Sequence, residues 1–413
     1  MFKSLLRGAV PLALLAAVPL AAQPPAAPVA AADLMRHIRV LASDDFQGRA
    51  PGTEGETRTV NYIVEQLRAR GLEPAGENGT WFQGVPLVER VTETIQASFT
   101  ANGRPVAFDV ANIALQGDDP VETLANAPVI FAGHGARVPD RGVDQLAGAN
   151  LEGAVVIILY EPPAGVPGFP SFNQRVQAVT ATGAAAVIAV ASPQIPWNLL
   201  QQVYRRPGTK PGSARVPPMI GAMPQAAMQA LLAGAGGDFE RLLNAQPGSS
   251  FRAVALPLSA TIRVETAVRR YETRNVIGRL RGSRATGESV MFLGHWDHFG
   301  TCRPPGEADR ICNGAVDNAS GIATMIEIAG RLSATPRPVR DTLFLATTAE
   351  EVGLLGAEHF ATHPTVPLTS IVAAINFDTV AVHPAGEPVA VLGRGIAPLD
   401  AAIEATATAM GRR

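Results

Sequence analysis

Apolar and polar positions follow different rhythms along this chain. Thr57 to Arg70 (TRTVNYIVEQLRAR) places apolar residues at helical spacing and is followed by Gly71, which predicts a capped amphipathic helix. Leu34–Leu41 is predicted helical too. The run between them, LASDDFQGRAPGTEGE, is rich in Gly, Pro, Asp and Glu and predicts a loop. From about Asn126 the texture changes to short apolar runs (APVIFAGHG, GAVVIILYEPP, GAAAVIAVASP) punctuated by Gly and Pro, with a helical stretch at Phe172–Thr182. From Arg274 onward the pattern is regular. Strands are predicted at 274–280, 288–295, 341–347, 370–377 and 388–393, and helices at 318–333, 353–363 and 397–411. Alternating strands and helices predict an α/β fold with a mostly parallel sheet sandwiched by helices. A β-rich module is expected as an insert at 126–245, between the two parts of the main domain at 33–125 and 250–413.

Composition narrows the function classes. A length of 413 residues suggests two or three domains, at roughly 100–200 residues each. With 47% hydrophobic and 17% charged residues the chain is too apolar to be disordered. A net charge of −2 argues against a nucleic-acid-binding protein. Lys3 and Arg7 precede an apolar run, Ala9 to Ala22, shorter than the ~20 residues a membrane span needs. Residues 1–22 are therefore expected to be a secretory signal peptide, and the mature protein to be periplasmic or secreted with no membrane anchor. Export gives the two cysteines a meaning: Cys302 and Cys312 flank a polar loop (RPPGEADRI), and an oxidising compartment favours a disulfide between them.

Reactive residues cluster at predicted strand ends, where sites form in sheets of this type. GHWDHFG supplies His295, Asp297 and His298; NGAVDNASG supplies Asp317; TTAEEVGLLGA supplies Glu350 and Glu351; INFDTV supplies Asp378. An imidazole and several carboxylates converging on one edge repel each other unless a cation neutralises them, and mixed nitrogen and oxygen ligands suit Zn²⁺. Adjacent Glu350 and Glu351 can divide the work, one facing metal and the other a water. Asp297 can accept the second ring N–H of His295 and fix its tautomer, whereas His298 is expected at the rim rather than as a ligand. His359 and His363 stand at i and i+4, but Phe360 replaces the glutamate of H-E-x-x-H, so they are read as structural. No G-x-S-x-G occurs, which disfavours a serine hydrolase.

With these residues in hand, the chain resembles the secreted di-zinc aminopeptidases of the bacterial leucyl-aminopeptidase type. It is similar to the subgroup with an inserted protease-associated (PA) domain, which the 126–245 region would be. The resemblance implies that Asp317 bridges two Zn²⁺ ions and that His295 and Asp378 complete one site. It further implies that Glu351 binds the other ion, that Glu350 is the general base, and that the Asp317–Asn318 peptide bond is cis. Peptides would be the substrates. The family's second histidine ligand has no counterpart far downstream of Asp378; only His383 follows it. The expectation is therefore a catalytic domain lacking its C-terminal part, with one ligand of the second site missing. Two alternatives stay open: a carboxypeptidase or dipeptidase on the same metal core, and a non-catalytic binding protein with a degenerate metal site.

Overall fold

The computed structural model describes residues 29–411 apart from 164, 213–218, 246–250, 381–390, 394 and 396. The expected signal peptide, His383 and the first half of the strand expected at 388–393 lie outside these residues; 391–393 are not strand. Two helices, α1 (Ala31–Leu41) and α2 (Glu54–Ala69), come first. Thr53 caps α2, its side chain accepting the Glu56 amide. Then come β1 (Phe82–Ala101), the short β2 (Ala114–Gln116), β3 (Val121–Phe131) and β4 (Val155–Leu159). Helix α3 (Phe172–Thr180) leads to β5 (Ala186–Ala191), and β6 (Met219–Pro224) runs directly into α4 (Gln225–Gly234). Further along come β7 (Val254–Leu280), β8 (Ser289–His295), α5 (Ser320–Ala334), β9 (Asp341–Thr347), α6 (Leu355–Thr362), β10 (Ile371–Asn376) and α7 (Ala397–Ala409), with shorter elements between them.

One large sheet has the order β10-β8-β9-β7-β3-β4-β5-β6-β2. It contains two parallel blocks. One is β10, β8 and β9; the other is β3, β4, β5 and β6. The α/β class expected from the sequence is what the chain adopts. The strand expected at 274–280 is longer than its pattern suggested, because β7 extends it back to Val254 as one 27-residue element. β7 is antiparallel to β3 over its first half, to β9 over its last five residues, and to β1 along most of its length. β2, upstream of residue 126, closes the outer edge of the second block by pairing with β6.

Helices cover both faces of the β8–β10 block. Phe344 and Ala346 of β9 pack with α2 and α5 residues such as Ile63, Leu67, Ile322 and Ile326. Leu343 and Leu345, pointing the other way, pack with Ile277, Met291 and Phe360. Burial on both faces explains why β9 is continuously apolar rather than alternating. Among the described residues no helix is long and apolar enough to cross a membrane.

Beyond β8, Gly300–Thr301 pairs with Ile311–Cys312, and Cys302 is bonded to Cys312 as expected from the sequence. Closing so short a loop restricts the unfolded chain. Replacing both cysteines by serine should lower unfolding stability by about 2–3 kcal/mol, read from urea melts; an unchanged midpoint would show that the hairpin is held by its neighbours alone.

Candidate metal centre

Four loops leave the β8–β10 block and the start of α5 carrying the residues singled out from the sequence. His295 ends β8 and is 3% exposed. Its Nδ1 lies 3.2 Å from the backbone carbonyl of Asp297, which can only accept, so Nδ1 carries the proton and Nε2 is free to ligate. Around Nε2 stand Asp317 Oδ1 at 3.1 Å, Asp378 Oδ1 at 3.6 Å and Glu350 Oε2 at 3.8 Å. Nε2 itself is buried and has no hydrogen-bond partner.

Asp297 is fully buried, and its carboxylate is placed differently from the sequence expectation. It stands 3.7 Å from His295 Nδ1, beyond hydrogen-bond reach, and accepts the amides of Glu350 (3.1 Å) and Glu351 (3.3 Å) instead. The aspartate therefore fastens the glutamate loop to the histidine loop, while its backbone carbonyl sets the tautomer. A second correction concerns His298, expected at the rim. It is half-buried, its Nδ1 hydrogen-bonds Glu351 Oε1, and it groups with Asp317 and Glu351. Its signal in the sequence was its place one residue after Asp297.

Two sets of potential ligand atoms result, each within 4.8 Å of one another: His295, Asp317 and Asp378, and His298, Asp317 and Glu351. Asp317 belongs to both. His359 and His363 belong to neither; their rings stack on each other at 4.6 Å. The donor chemistry fits zinc, and the orphaned Nε2 marks where a cation would complete the first set. Burial opposes charge on His295, but Asp297, Glu350 and Asp378 outweigh it and raise its pKa to about 9. Burial also raises the carboxyl pKa values of Asp317 and Glu350. These shifts express a crowded, partly desolvated set of carboxylates around one imidazole.

Backbone groups lock the loops together. The Asp317–Asn318 bond is cis. Asn318, fully buried, donates from Nδ2 to the Phe377 carbonyl (2.9 Å) and accepts the amides of Gly321 (3.0 Å) and Thr379 (3.3 Å), tying the Asp317 loop to the Asp378 loop. The largest contribution missed from the sequence is Arg49, in the loop between α1 and α2. It is 1% exposed, and its guanidinium donates to the carbonyls of Leu41 (2.7 Å), Trp296 (2.8 Å), Asn313 (2.6 Å) and Gly314 (2.8 Å). Gly314 has φ +57°, and a Cβ there would lie 2.5 Å from that guanidinium. Only glycine allows so close an approach. Burial lowers the Arg49 pKa to about 10, opposed by Asp297, Asp317 and Glu351, so it remains a cation beneath the acidic cluster.

Residues 275–413 match the family described as peptidase family M28. Over 94 residues the chain is 34% identical to a vacuolar membrane protease of Candida glabrata, covering 23% of this chain and 9% of that protein. It is also 34% identical over 105 residues to a probable zinc metalloprotease of Pyrenophora teres f. teres, covering 25% and 22%. The matched stretch is thus less than a quarter of either relative's length. The aminopeptidase from Aneurinibacillus sp. strain AM-1 shares the fold, with a TM-score of 0.50 and 17% identity over 87% of this chain and 72% of that one. Every side chain of the two candidate ligand sets lies within residues 275–413, the part of the chain that is similar to peptidase family M28.

Proposed function

We propose that the chain is a zinc-dependent aminopeptidase. The observation that carries this reading is the buried, unpartnered Nε2 of His295, facing Asp317 and Asp378, with Glu350 beside the same point. His295, Asp317 and Asp378 would hold one zinc ion, and Asp317, Glu351 and His298 a second. His298 would thereby fill the ligand position that the sequence reading left vacant. Zinc, when bound, supplies Lewis acidity that lowers the pKa of a water and polarises a carbonyl.

The chain's own groups do the rest. Glu350, its affinity for a proton raised by burial, accepts the proton of the attacking water and delivers it to the departing amine. Asp297 holds the Glu350 backbone so that its carboxylate stays beside His295. The zinc metalloprotease relative and the aminopeptidase of similar fold support this chemistry and the choice of the amino end.

The free amine is the discriminating feature of the substrate. Aminoacyl-p-nitroanilides with a free amine should be hydrolysed, and their N-acetylated forms should not. Hydrolysis of blocked peptides from the carboxyl end would replace this reading with a carboxypeptidase on the same metal core.

A further inference from the structure

His359 and His363 sit at the C-terminal end of α6, outside both ligand sets of the metal centre. The backbone amide of His363 donates to the His359 carbonyl at 2.8 Å, so the helical bonding pattern reaches His363 and the two side chains share one face. Their rings lie nearly parallel, 4.6 Å apart with 19° between planes. His359 is half-buried and His363 is exposed, so the pair is open to solvent.

Each ring has one nitrogen occupied. The Thr362 hydroxyl directs its single hydrogen to the carbonyls of Glu358 (2.9 Å) and His359 (3.2 Å), and its oxygen stands 3.0 Å from His363 Nδ1. Nδ1 is then the donor in that contact, and His363 Nε2 carries the lone pair. His359 is hydrogen-bonded to the Gly84 backbone in a contact that favours the protonated ring, so the carbonyl accepts there and the other ring nitrogen carries the lone pair. A ring held by an oxygen acceptor on one nitrogen and bare on the other is the arrangement of a metal-binding histidine.

The surroundings favour a cation. Glu77 Oε2 accepts the Gly84 amide at 3.3 Å, and the Glu272 carboxyl carbon would lie 3.0 Å from a Cβ at Gly84, so two carboxylates flank the glycine that holds His359. The last carbonyls of α6 add the negative end of the helix dipole. Burial and the neighbouring His363 lower the His359 pKa, opposed by Glu77 and the Gly84 contact, which keeps this ring neutral at pH 7. The helix end is also fixed in place, since Gln83 Nε2 donates to the His363 carbonyl at 2.6 Å.

We propose that His359 and His363 form a separate surface site that chelates one divalent metal ion, Zn²⁺ or Cu²⁺, with water in the remaining positions. Two imidazoles select such ions over Mg²⁺ and Ca²⁺, which take oxygen ligands. Phe360 stands where a catalytic pair on a helix carries glutamate, so the site binds metal without activating water.

The test is equilibrium dialysis of the full chain against buffered free zinc, followed by elemental analysis. The parent should take up one equivalent more than its metal centre holds, with a dissociation constant of about 10 μM, roughly half the binding free energy of a four-ligand structural site. His359→Gln and His363→Gln should each weaken that equivalent by about tenfold or more, because a chelate fails when either ligand is lost. Cu²⁺ should bind more tightly than Zn²⁺, and millimolar Mg²⁺ should not displace either. Both positions reach solvent and glutamine is a good helix former, so folding is not at stake. Hydrolysis of a free-amine substrate and the tightly held zinc should be the same in all three proteins. Equal weak zinc uptake by the parent and both variants, or loss in only one of them, overturns the proposal. Absence of tightly held zinc from all three would count against the metallopeptidase reading instead, so the two failures are distinct.

Discussion

Glu350→Gln should lower kcat by about 10²–10⁴-fold, the usual contribution of a general base, with bound zinc unchanged. The substitution keeps the side chain's shape and removes only its ability to take a proton. Glu350 lies in neither complete ligand set, so elemental analysis of the variant should return the zinc content of the parent. Its carboxylate nevertheless stands 3.8 Å from His295 Nε2, close enough to reach a water held at the same point. Burial raises its pKa, with the neighbouring carboxylates adding and His295 opposing, which makes it a better proton acceptor than a solvated glutamate. Near-full activity would remove Glu350 from this role. Loss of zinc together with activity would make it a ligand instead of a base.

Arg49→Met should cost about 3–5 kcal/mol of stability, the scale of breaking a buried charged network, and should reduce zinc occupancy as well. Four carbonyls lose a charged donor at once, and they belong to three segments: the end of α1, the loop after β8, and the turn before Asp317. Two of those segments carry residues of both candidate ligand sets. Arg49→Lys should restore little, because one ammonium offers three donors from a single point while the guanidinium spreads five around a plane. Urea unfolding and zinc analysis of the two variants test this. A methionine variant with parental stability and zinc content would show that the loops hold themselves.

Much of the metal centre was legible because its residues end strands, and strand ends in a parallel block converge. The four motifs carrying His295, Asp317, Glu350, Glu351 and Asp378 each follow a predicted strand or open a predicted helix, so topology alone brings them together. Arg49 was not legible. It lies in a Gly- and Pro-rich loop, and nothing in local pattern says that a charged loop residue is buried under partners some 250 positions away. The contact between His298 and Glu351 is not legible either, since spacing does not tell which way a ring turns on leaving a strand. The length of β7 had a signal that went unused. Residues 256–266 alternate buried and less buried positions, the period-two pattern of a half-covered strand. The sequence pattern after Leu256 (LSATIRVETAV) already carries it.

β7 also decides how the two parallel blocks are mechanically joined. Its pairing with β3 ends at Glu265, and its pairing with β9 begins at Val276. Between them it runs as a narrow antiparallel ribbon with β1, flanked on the far side by Gly208–Pro211, which pairs with Leu87–Arg90. The ladder slips register between Glu265 and Thr266, at the boundary itself. A ribbon of two or three strands twists readily but resists sliding, because sliding would break its ladder hydrogen bonds together. The ribbon therefore joins the β3–β6 block to the β8–β10 block as a hinge of torsional kind: its geometry allows a change of angle between the blocks more readily than a change of distance.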